Sequence, residues 1–272
     1  MWRAIDVVDR TGSTNADLLA RAGAAQGQVL VAEEQTAGRG RMGRTWLAPP
    51  HAALTFSMLL RPAWVPAGKL GWLSLLTGVC VATAVRDVGG VQAGLKWPND
   101  VLAGGRKLAG ILAEVSGDTV VIGVGLNVST TLDELPAPGP GALAATSVYV
   151  EGAGGYVEGA GRPASLDRAR LLGAILAEME RRYLGWREDP GQLLARLAPE
   201  YRDLCVTLGR EVRVEQPGGQ VLSGKAVDVD SDGRLVLLVP SGPESESAPG
   251  PGPGSGGSVR VAVAAGDVVH VR

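Results

Sequence analysis

Histidine and cysteine are nearly missing from this chain, whose 272 residues hold two of each. Cys80 and Cys205 lie far apart and form no C-x-x-C pair, which disfavours a disulfide framework and suits two incidental thiols in a reducing compartment. His51 and His270 alone make a histidine-based zinc site a poor fit, so no protein-held metal is expected. Aromatic residues are scarce, with one Phe, although six Trp restore part of the volume. Neither charge sign dominates: the formal net charge is −2, so nothing global attracts nucleic acid or an anionic membrane, and any basic site must be local. Long apolar runs are also lacking. "LGWLSLLTGVCVATAV" is broken by Gly, Ser and Thr and reads as too short to span a bilayer comfortably. The opening "MWRAIDVVDR" is charged within three residues and has no signal-peptide core. These absences describe a soluble, cytoplasmic chain with no membrane partner.

What is present is enough apolar material, 45%, for a packed core, at a length that suits one large domain plus a small one. "WRAIDVVD", "GQVLVAEEQ" and "ALTFSMLLRP" have strand character, and "TGSTNADLLARAGA" reads as a helix capped by Ser13 or Thr14. "LGWLSLLTGVCVATAVRDVG" predicts a buried helix ending on Gly89–Gly90. Three β-like stretches follow, "AGLKWPND", "KLAGILAEVSG" and "TVVIGVGLNVS", separated by the gaps "VLAGGR" and "GD". Runs of strands without strict βαβ alternation predict an α+β fold with a central mixed or antiparallel sheet and flanking helices. The Gly-, Ala- and Pro-rich stretch over 131–163 reads as a poorly ordered surface excursion. A helix capped by Ser165 and a second helix over "PGQLLARLAPEYRDL" come next. From Thr207 four or five short strands predict a small barrel, interrupted by the flexible insert "PSGPESESAPGPGPGSGGS". The expected division is 1–204 and 205–272, with the insert near 240–258.

The segment "QTAGRGRMGRTW" spells G-x-G-x-x-G at Gly38, Gly40 and Gly43. A dinucleotide turn needs a helix next and an acidic residue about 20 positions on. "RTWLAPPHAALTFSM" supplies prolines and a β-like run instead, and Met58 to Leu60 stand where the acid should be. The dinucleotide reading therefore fails on context. What remains is a loop whose glycines permit close backbone approach, with Arg39, Arg41 and Arg44 as planar cationic forks for phosphate or carboxylate.

Three further clusters are weak singly. In "LKWPNDVL", Lys96 closes an apolar strand, and Pro98-Asn99-Asp100 by itself is ordinary turn chemistry. In "GRKLAGILAEV", Lys107 precedes a core-like strand in which Gly110 removes a side chain. "IGVGLNVS" places Gly123, Gly125 and the polar Asn127 in an apolar strand. Together they offer small residues beside polar or cationic groups, with no competing nucleophile triad. That apparatus suits charge stabilisation and positioning.

The ordered set "GSTN", "EQTAGRGRMGRTW", "LKWPNDV", "RKLAGILAE" and "IGVGLNV" resembles the biotin protein ligases, strongly over residues 5–128 and more loosely to the C-terminus. The resemblance implies a class II synthetase-like catalytic fold followed by an SH3-like barrel. It also implies a two-step reaction. Biotin and MgATP give biotinyl-5′-AMP and pyrophosphate, and the acyl group then passes to a lysine on the biotin carboxyl carrier domain of an acyl-CoA or pyruvate carboxylase. By that resemblance Ser13, Thr14, Asn15, Gln35, Gly38, Arg39, Gly40 and Gly110 belong to the biotin site. Arg41 and Lys107 would be shared between carboxylate and phosphate as the catalytic cations. Arg44, Trp46, Lys96, Asn99, Asp100 and Asn127 would frame the nucleotide, with Trp46 stacking on adenine. The acceptor lysine, with a reference pKa of ~10.4, must lose a proton, and no general base is evident. The family's loop orders as the adenylate forms, which the glycine content suits. The chain starts too close to the catalytic motifs for the repressor branch's DNA-binding domain, so no DNA partner is expected. Two rivals stay open. One is a lipoate–protein ligase. The other is a non-catalytic nucleic-acid-binding module, against which the −2 charge and Glu33–Glu34 argue.

Overall fold

A computed structural model describes every residue except 22, 24, 140–141, 153–166, 241–257 and 272. Seven strands form the first sheet: β1 (Ala4–Thr11), β2 (Gln28–Gln35), β3 (Ala53–Leu60), β4 (Ala93–Lys96), β5 (Asp100–Ala103), β6 (Arg106–Ser116) and β7 (Thr119–Asn127). Their order is β1-β2-β3-β7-β6-β5-β4. Only β1 and β2 run parallel; every other pair is antiparallel, so the sheet is mixed, as the strand runs predicted. β3 is buried at all eight positions, as a strand covered on both faces must be. The gap "VLAGGR" is a correction: Val101–Ala103 belong to β5, and only Gly104 and Gly105 turn the chain, at φ of 55° and 73°. Two successive left-handed residues make the tight hairpin that glycine permits at little cost.

Alternation along the strands separates the two faces. Val29, Val31, Met58, Leu60, Val120 and Ile122 join the main core, whereas Leu30, Leu59 and Val121 meet Leu18 on the other side. Leu18 belongs to α1 (Thr14–Ala20), which Ser13 caps by accepting from Ala16 N at 3.4 Å. The main-core face is covered by α2 (Gly71–Gly89), which ends on Gly90 at φ 65°. By length and composition 67–89 could cross a membrane, contrary to the sequence expectation, but two thirds of its apolar window is buried against the rest of the fold. The short α3 (Val148–Glu151) lies inside the Gly- and Pro-rich stretch expected to be an excursion, and it buries Val148 in the main core.

Behind α2 lies α4 (Arg168–Glu188), whose buried stripe is Leu171, Leu172, Ile175, Leu176, Met179, Tyr183 and Trp186. Its cap is Asp167, which accepts from Arg170 N at 2.9 Å. The expected cap, Ser165, lies outside the described residues. The next helix is not continuous. α5 (Pro190–Gln192) passes through a π turn (Leu193–Leu197) into α6 (Ala198–Leu204). Pro199 has no N–H to give to the preceding turn, so the regular ladder breaks there.

The second sheet holds β8 (Glu211–Glu215), β9 (Val221–Val229), β10 (Leu235–Pro240), β11 (Ser258–Val263) and β12 (Asp267–His270), ordered β11-β10-β9-β8-β12. The expected flexible insert, 241–257, lies outside the described residues. Val212, Val214, Leu235 and Leu237 join the same core as α2. Hydrogen bonds also tie β4 and the turn after it to segments bordering the second sheet's strands: Val206 N donates to Leu95 O at 2.8 Å, and Trp97 Nε1 to Gly233 O at 3.0 Å.

Candidate active site

On the α1 face, the apolar row Leu59–Val121 gives way to small and polar residues two positions at a time. Ser57 lies opposite Gly123, which lies opposite Leu112; Thr55 lies opposite Gly125, which lies opposite Gly110. The result is a trough in the middle of the sheet, because nothing larger than a hydroxyl rises from β3 and nothing at all from the two glycines of β7. α1 fills one end. A Cβ on Gly123 would stand 2.4 Å from Asn15 Oδ1, so this position admits no side chain. Buried Ser57 sits with its Oγ 2.6 Å from both Thr14 Oγ1 and Asn15 Oδ1. Asn15 Nδ2 donates to Glu114 Oε2 at 2.7 Å and to Leu112 O at 3.2 Å. Gln35 Oε1 accepts from Thr14 N at 2.8 Å and from its hydroxyl at 3.0 Å. This end of the trough is dense in oriented polar groups, every one buried or half-buried.

The glycine–arginine segment folds over the trough as a hairpin. Trp46 N donates to Gly38 O at 2.9 Å and Gly40 N to Arg44 O at 2.6 Å, with Arg39 and Thr45 bridged between them. The tip, Arg41–Gly43, turns through Met42 at φ 53° and Gly43 at φ 74°. β3 follows it, not a helix, in keeping with the failed dinucleotide reading. Gly38 is a structural glycine: an added Cβ would meet Trp46 O at 2.4 Å, so the two limbs can close only because it has none. The Trp46 indole lies on the glycines themselves, with a Gly125 Cβ falling 2.2 Å from its Cε2 and a Gly110 Cβ 3.4 Å from its Cζ3. Its Nε1 is buried and has no partner among the described residues.

Lys107 reaches the same trough through a bulge. Val101 pairs with Ala109 but Leu102 pairs with Lys107, so Leu108 is one residue too many. A bulge of this kind re-aims the side chains beside it. Leu108 and Ala109 are buried, while Lys107 and Gly110, three apart, both face the cleft. Lys107 Nζ lies 2.7 Å from Asp100 Oδ1, and Lys96 Nζ lies 3.9 Å from Asp100 Oδ2. Burial pulls the Lys96 ammonium below its usual value, opposed by Asp100 and Asp267. Burial lowers the Arg41 guanidinium as well, again against Asp100 and Asp267. Both cations belong to one electrostatic group centred on Asp100.

Beyond Trp46 the trough opens into a larger groove between β4–β5 and β12, lined in part by Arg44, Lys96, Asn127, Asp267 and His270. The Arg44 guanidinium pairs with the Asp267 carboxylate, and Arg41 Nη2 donates to Gly266 O at 3.4 Å. The hairpin is thereby tied to the second sheet. The His270 imidazole is held at about 4 by burial, with Lys96 and Arg210 adding to the effect.

Ser13, Thr14, Asn15, Gln35, Arg39, Gly40, Arg41, Arg44, Trp46, Asn99, Asp100, Lys107 and Gly110 thus line one cleft. Gly38 does not line it, and Lys96 and Asn127 line the adjoining groove. Asn127 Nδ2 donates to Thr146 O at 2.9 Å, and Asn99 Nδ2 to Ile111 O at 3.2 Å, so both amides have a structural partner. Sequence reasoning missed Thr55, Ser57, Glu114 and Asp267. Two hydroxyls at alternate positions of "ALTFSMLL" were a signal for the first pair; Asp267 gave none. Among the described residues no three His, Cys, Asp or Glu side chains gather as metal ligands.

Residues 4–127 match the family described as "Biotin/lipoate A/B protein ligase family", and residues 207–271 match "Biotin protein ligase C terminal domain". The chain is 45% identical to the Biotin--[acetyl-CoA-carboxylase] ligase of Mycobacterium tuberculosis, across 100% of this chain and 90% of that one. It is 32% identical to the Bifunctional ligase/repressor BirA of Bacillus spizizenii, across 87% of this chain and 69% of that one. Among solved structures it resembles the "Biotin protein ligase from Aquifex aeolicus in complex with biotin and ATP", with a TM-score of 0.75, 24% identity, and coverage of 99% and 100% of the two chains. That last likeness concerns the fold.

Proposed function

The chain belongs to the biotin/lipoate A/B protein ligase family, and we propose that its trough holds biotin while the adjoining groove holds the nucleotide. It is a biotin protein ligase, with biotin and ATP as substrates. One observation carries the assignment of the trough: a row of missing side chains, Gly110, Gly123 and Gly125, ends in the polar cluster Thr14, Asn15, Ser57 and Gln35. A compact bicyclic head with a urea suits such a site, since its N–H and C=O groups meet buried acceptors and donors. A lipoyl dithiolane has no N–H or C=O with which to join that network.

The chemistry follows from charge. The biotin carboxylate attacks the α-phosphorus of ATP, a C–O–P bond forms, and pyrophosphate leaves. Two anions must approach, and Arg39, Arg41, Arg44 and Lys107 converge where they would meet. Lys107, kept as one half of an ion pair with Asp100, exchanges that partner in part for the carboxylate and phosphate oxygens as charge develops. For the acyl chain to lie along the trough, Trp46 must lift from Gly125 and Gly110, on which it rests here. Its Nε1, without a partner among the described residues, can then donate to the adenylate. Asn99 and Asn127 then act chiefly by fixing β6 and the groove wall. Magnesium would enter with ATP: among the described residues the acidic side chains lining the cleft are Asp100 and Asp267, and both are already paired with cations.

In the second step an acceptor lysine attacks the anhydride carbonyl, AMP leaves, and the amine's proton is lost to solvent or to a base. We assign the acceptor to a biotin carboxyl carrier domain, and the reaction to the cytoplasm, where both buried thiols stay reduced. We also divide the chain at 204/205. β11 and β12 stand at opposite edges of their ladder yet are joined by three residues, 264–266. Four Cα steps span at most about 14 Å, whereas five flat strands are about 19 Å across, so the sheet curls, which supports an SH3-like barrel. The decisive test is incubation with biotin, MgATP and a carrier domain, followed by intact-mass measurement. A carrier gaining one biotinyl group is expected; a carrier modified only when lipoate replaces biotin would overturn the assignment.

A further inference from the structure

On the reading that Lys107 is the cation of the adenylation step, we propose that Thr146 and Glu151 are positioning residues that fix the Lys107 backbone from outside the sheet. Lys107 has β5 on one side. On the other, where the bulged strand would lack a neighbour, the segment 144–146 runs parallel to it: Lys107 N donates to Ala144 O and Thr146 N donates to Lys107 O, both at 2.8 Å. Both backbone groups of the lysine are therefore held by a strap that belongs to neither β5 nor β7.

The strap is itself immobilised through one carboxylate. Thr146 is fully buried, and its hydroxyl donates to Glu151 Oε1 at 2.7 Å while its carbonyl accepts from Asn127 Nδ2. The same Glu151 Oε1 takes Arg106 Nε at 3.1 Å and Arg106 Nη2 at 2.8 Å, one residue before Lys107. Its Oε2 lies against Gly104, where a Cβ would come within 2.8 Å, at the turn that leads into β6. Glu151 thus grips both sides of Lys107, the turn before it and the strap beside it. Its own helix is pinned by Ser147 Oγ, which donates to Thr130 O at 2.6 Å, and by Tyr149 N, which donates to Val128 O at 2.9 Å. A long, flexible lysine gains a defined start point from this, and misplacement of a catalytic group by about 1 Å can cost on the order of 10²-fold.

The test is biotin-dependent ATP–pyrophosphate exchange by the full chain, with melting temperature measured alongside. Thr146→Val, nearly isosteric but without the hydroxyl, should lower kcat about tenfold while the KM for biotin stays within twofold, and Thr146→Ser should restore kcat. Glu151→Gln, which keeps the shape and weakens the grip on Arg106, should show the same split. A Thr146→Val protein with normal kcat, or one whose kcat and biotin KM worsen together and are not rescued by Ser, overturns the proposal. If Thr146→Val does not fold, Glu151→Gln decides by the same criteria. A wild-type chain with no biotin-dependent exchange would instead sink the functional reading beneath it.

Discussion

Lys107 and Asp100 face each other from neighbouring strands, Nζ to Oδ1 at 2.7 Å, with Lys96 Nζ 3.9 Å from the second carboxylate oxygen. One carboxylate thus serves two cations of which one, Lys107, lines the cleft under the hairpin and the other lines only the adjoining groove. Removing the first should leave the architecture standing and disable the chemistry. For Lys107→Ala, kcat for adenylate formation should drop by about 10²–10³-fold with the dissociation constant for biotin changed little, because the charge is needed most where charge develops. Calorimetric titration beside pyrophosphate exchange measures both. Equal loss of binding and turnover would assign Lys107 to the ground state.

Gly125→Ala tests the trough. The new methyl would arrive 2.2 Å from the Trp46 ring, so the indole or the strand must move. Overpacking of this kind costs about 1–3 kcal/mol. The variant should bind biotin at least tenfold more weakly, and tryptophan fluorescence should report a displaced Trp46. Unaltered affinity would mean that biotin does not lie along these glycines.

The Arg44–Asp267 pair joins the hairpin to the second sheet, yet it is half exposed. Asp267→Asn should therefore change folding stability by less than about 1 kcal/mol. It should still shorten the lifetime of bound biotinyl-adenylate, measured by release of labelled intermediate, because the hairpin loses an anchor. An intermediate held as long as by the wild type would argue that Arg41 and Gly266 suffice.

His270 sets a pH dependence of stability. Burial, Lys96 and Arg210 hold its imidazole at about 4 against an ordinary value of 6.5. Between those two pH values the unfolded chain binds a proton that the folded chain refuses. This contribution is complete above about pH 6.5 and is lost progressively as the pH falls towards 4. The full shift corresponds to about 3 kcal/mol, which solvent around a half-buried ring reduces to about 1–2 kcal/mol. Urea midpoints at pH 7 and pH 4.5 should diverge less in His270→Gln than in the wild type, and parallel behaviour would discount the histidine.

Much of the cleft was legible from residue types. Gly123 and Gly125 at alternate positions of an apolar strand announce a missing row of side chains, and three arginines alternating with glycines announce an anion. Both are local patterns, and local patterns survive in a sequence. What stayed hidden depends on contacts between distant segments. The bulge at Leu108, which re-aims Lys107, is visible only when β5 is laid beside β6. Asp267 comes from 160 positions beyond Lys107, and nothing near it in sequence resembles a site. Part of the stretch 131–163 misled for a compositional reason: Gly, Ala and Pro suggest a loose loop, yet Thr131, Thr146, Ser147 and Val148 are buried, while 140–141 and 153–163 lie outside the described residues. The break in the helix at Pro199 could have been inferred from the missing N–H and was not.

Trp97 gives the two sheets a shared fate. It sits inside the "KWPND" turn of the first sheet, almost wholly buried, and its indole donates to Gly233 O while its backbone N–H donates to the Thr207 hydroxyl. Both acceptors lie in the C-terminal portion. Cutting that portion away would strand two donors in an apolar interior and open the wall behind Lys96 to water. The C-terminal strands are therefore part of the mould in which the Lys96–Asp100 turn sets, and a shortened chain should lose that turn before it loses its sheet.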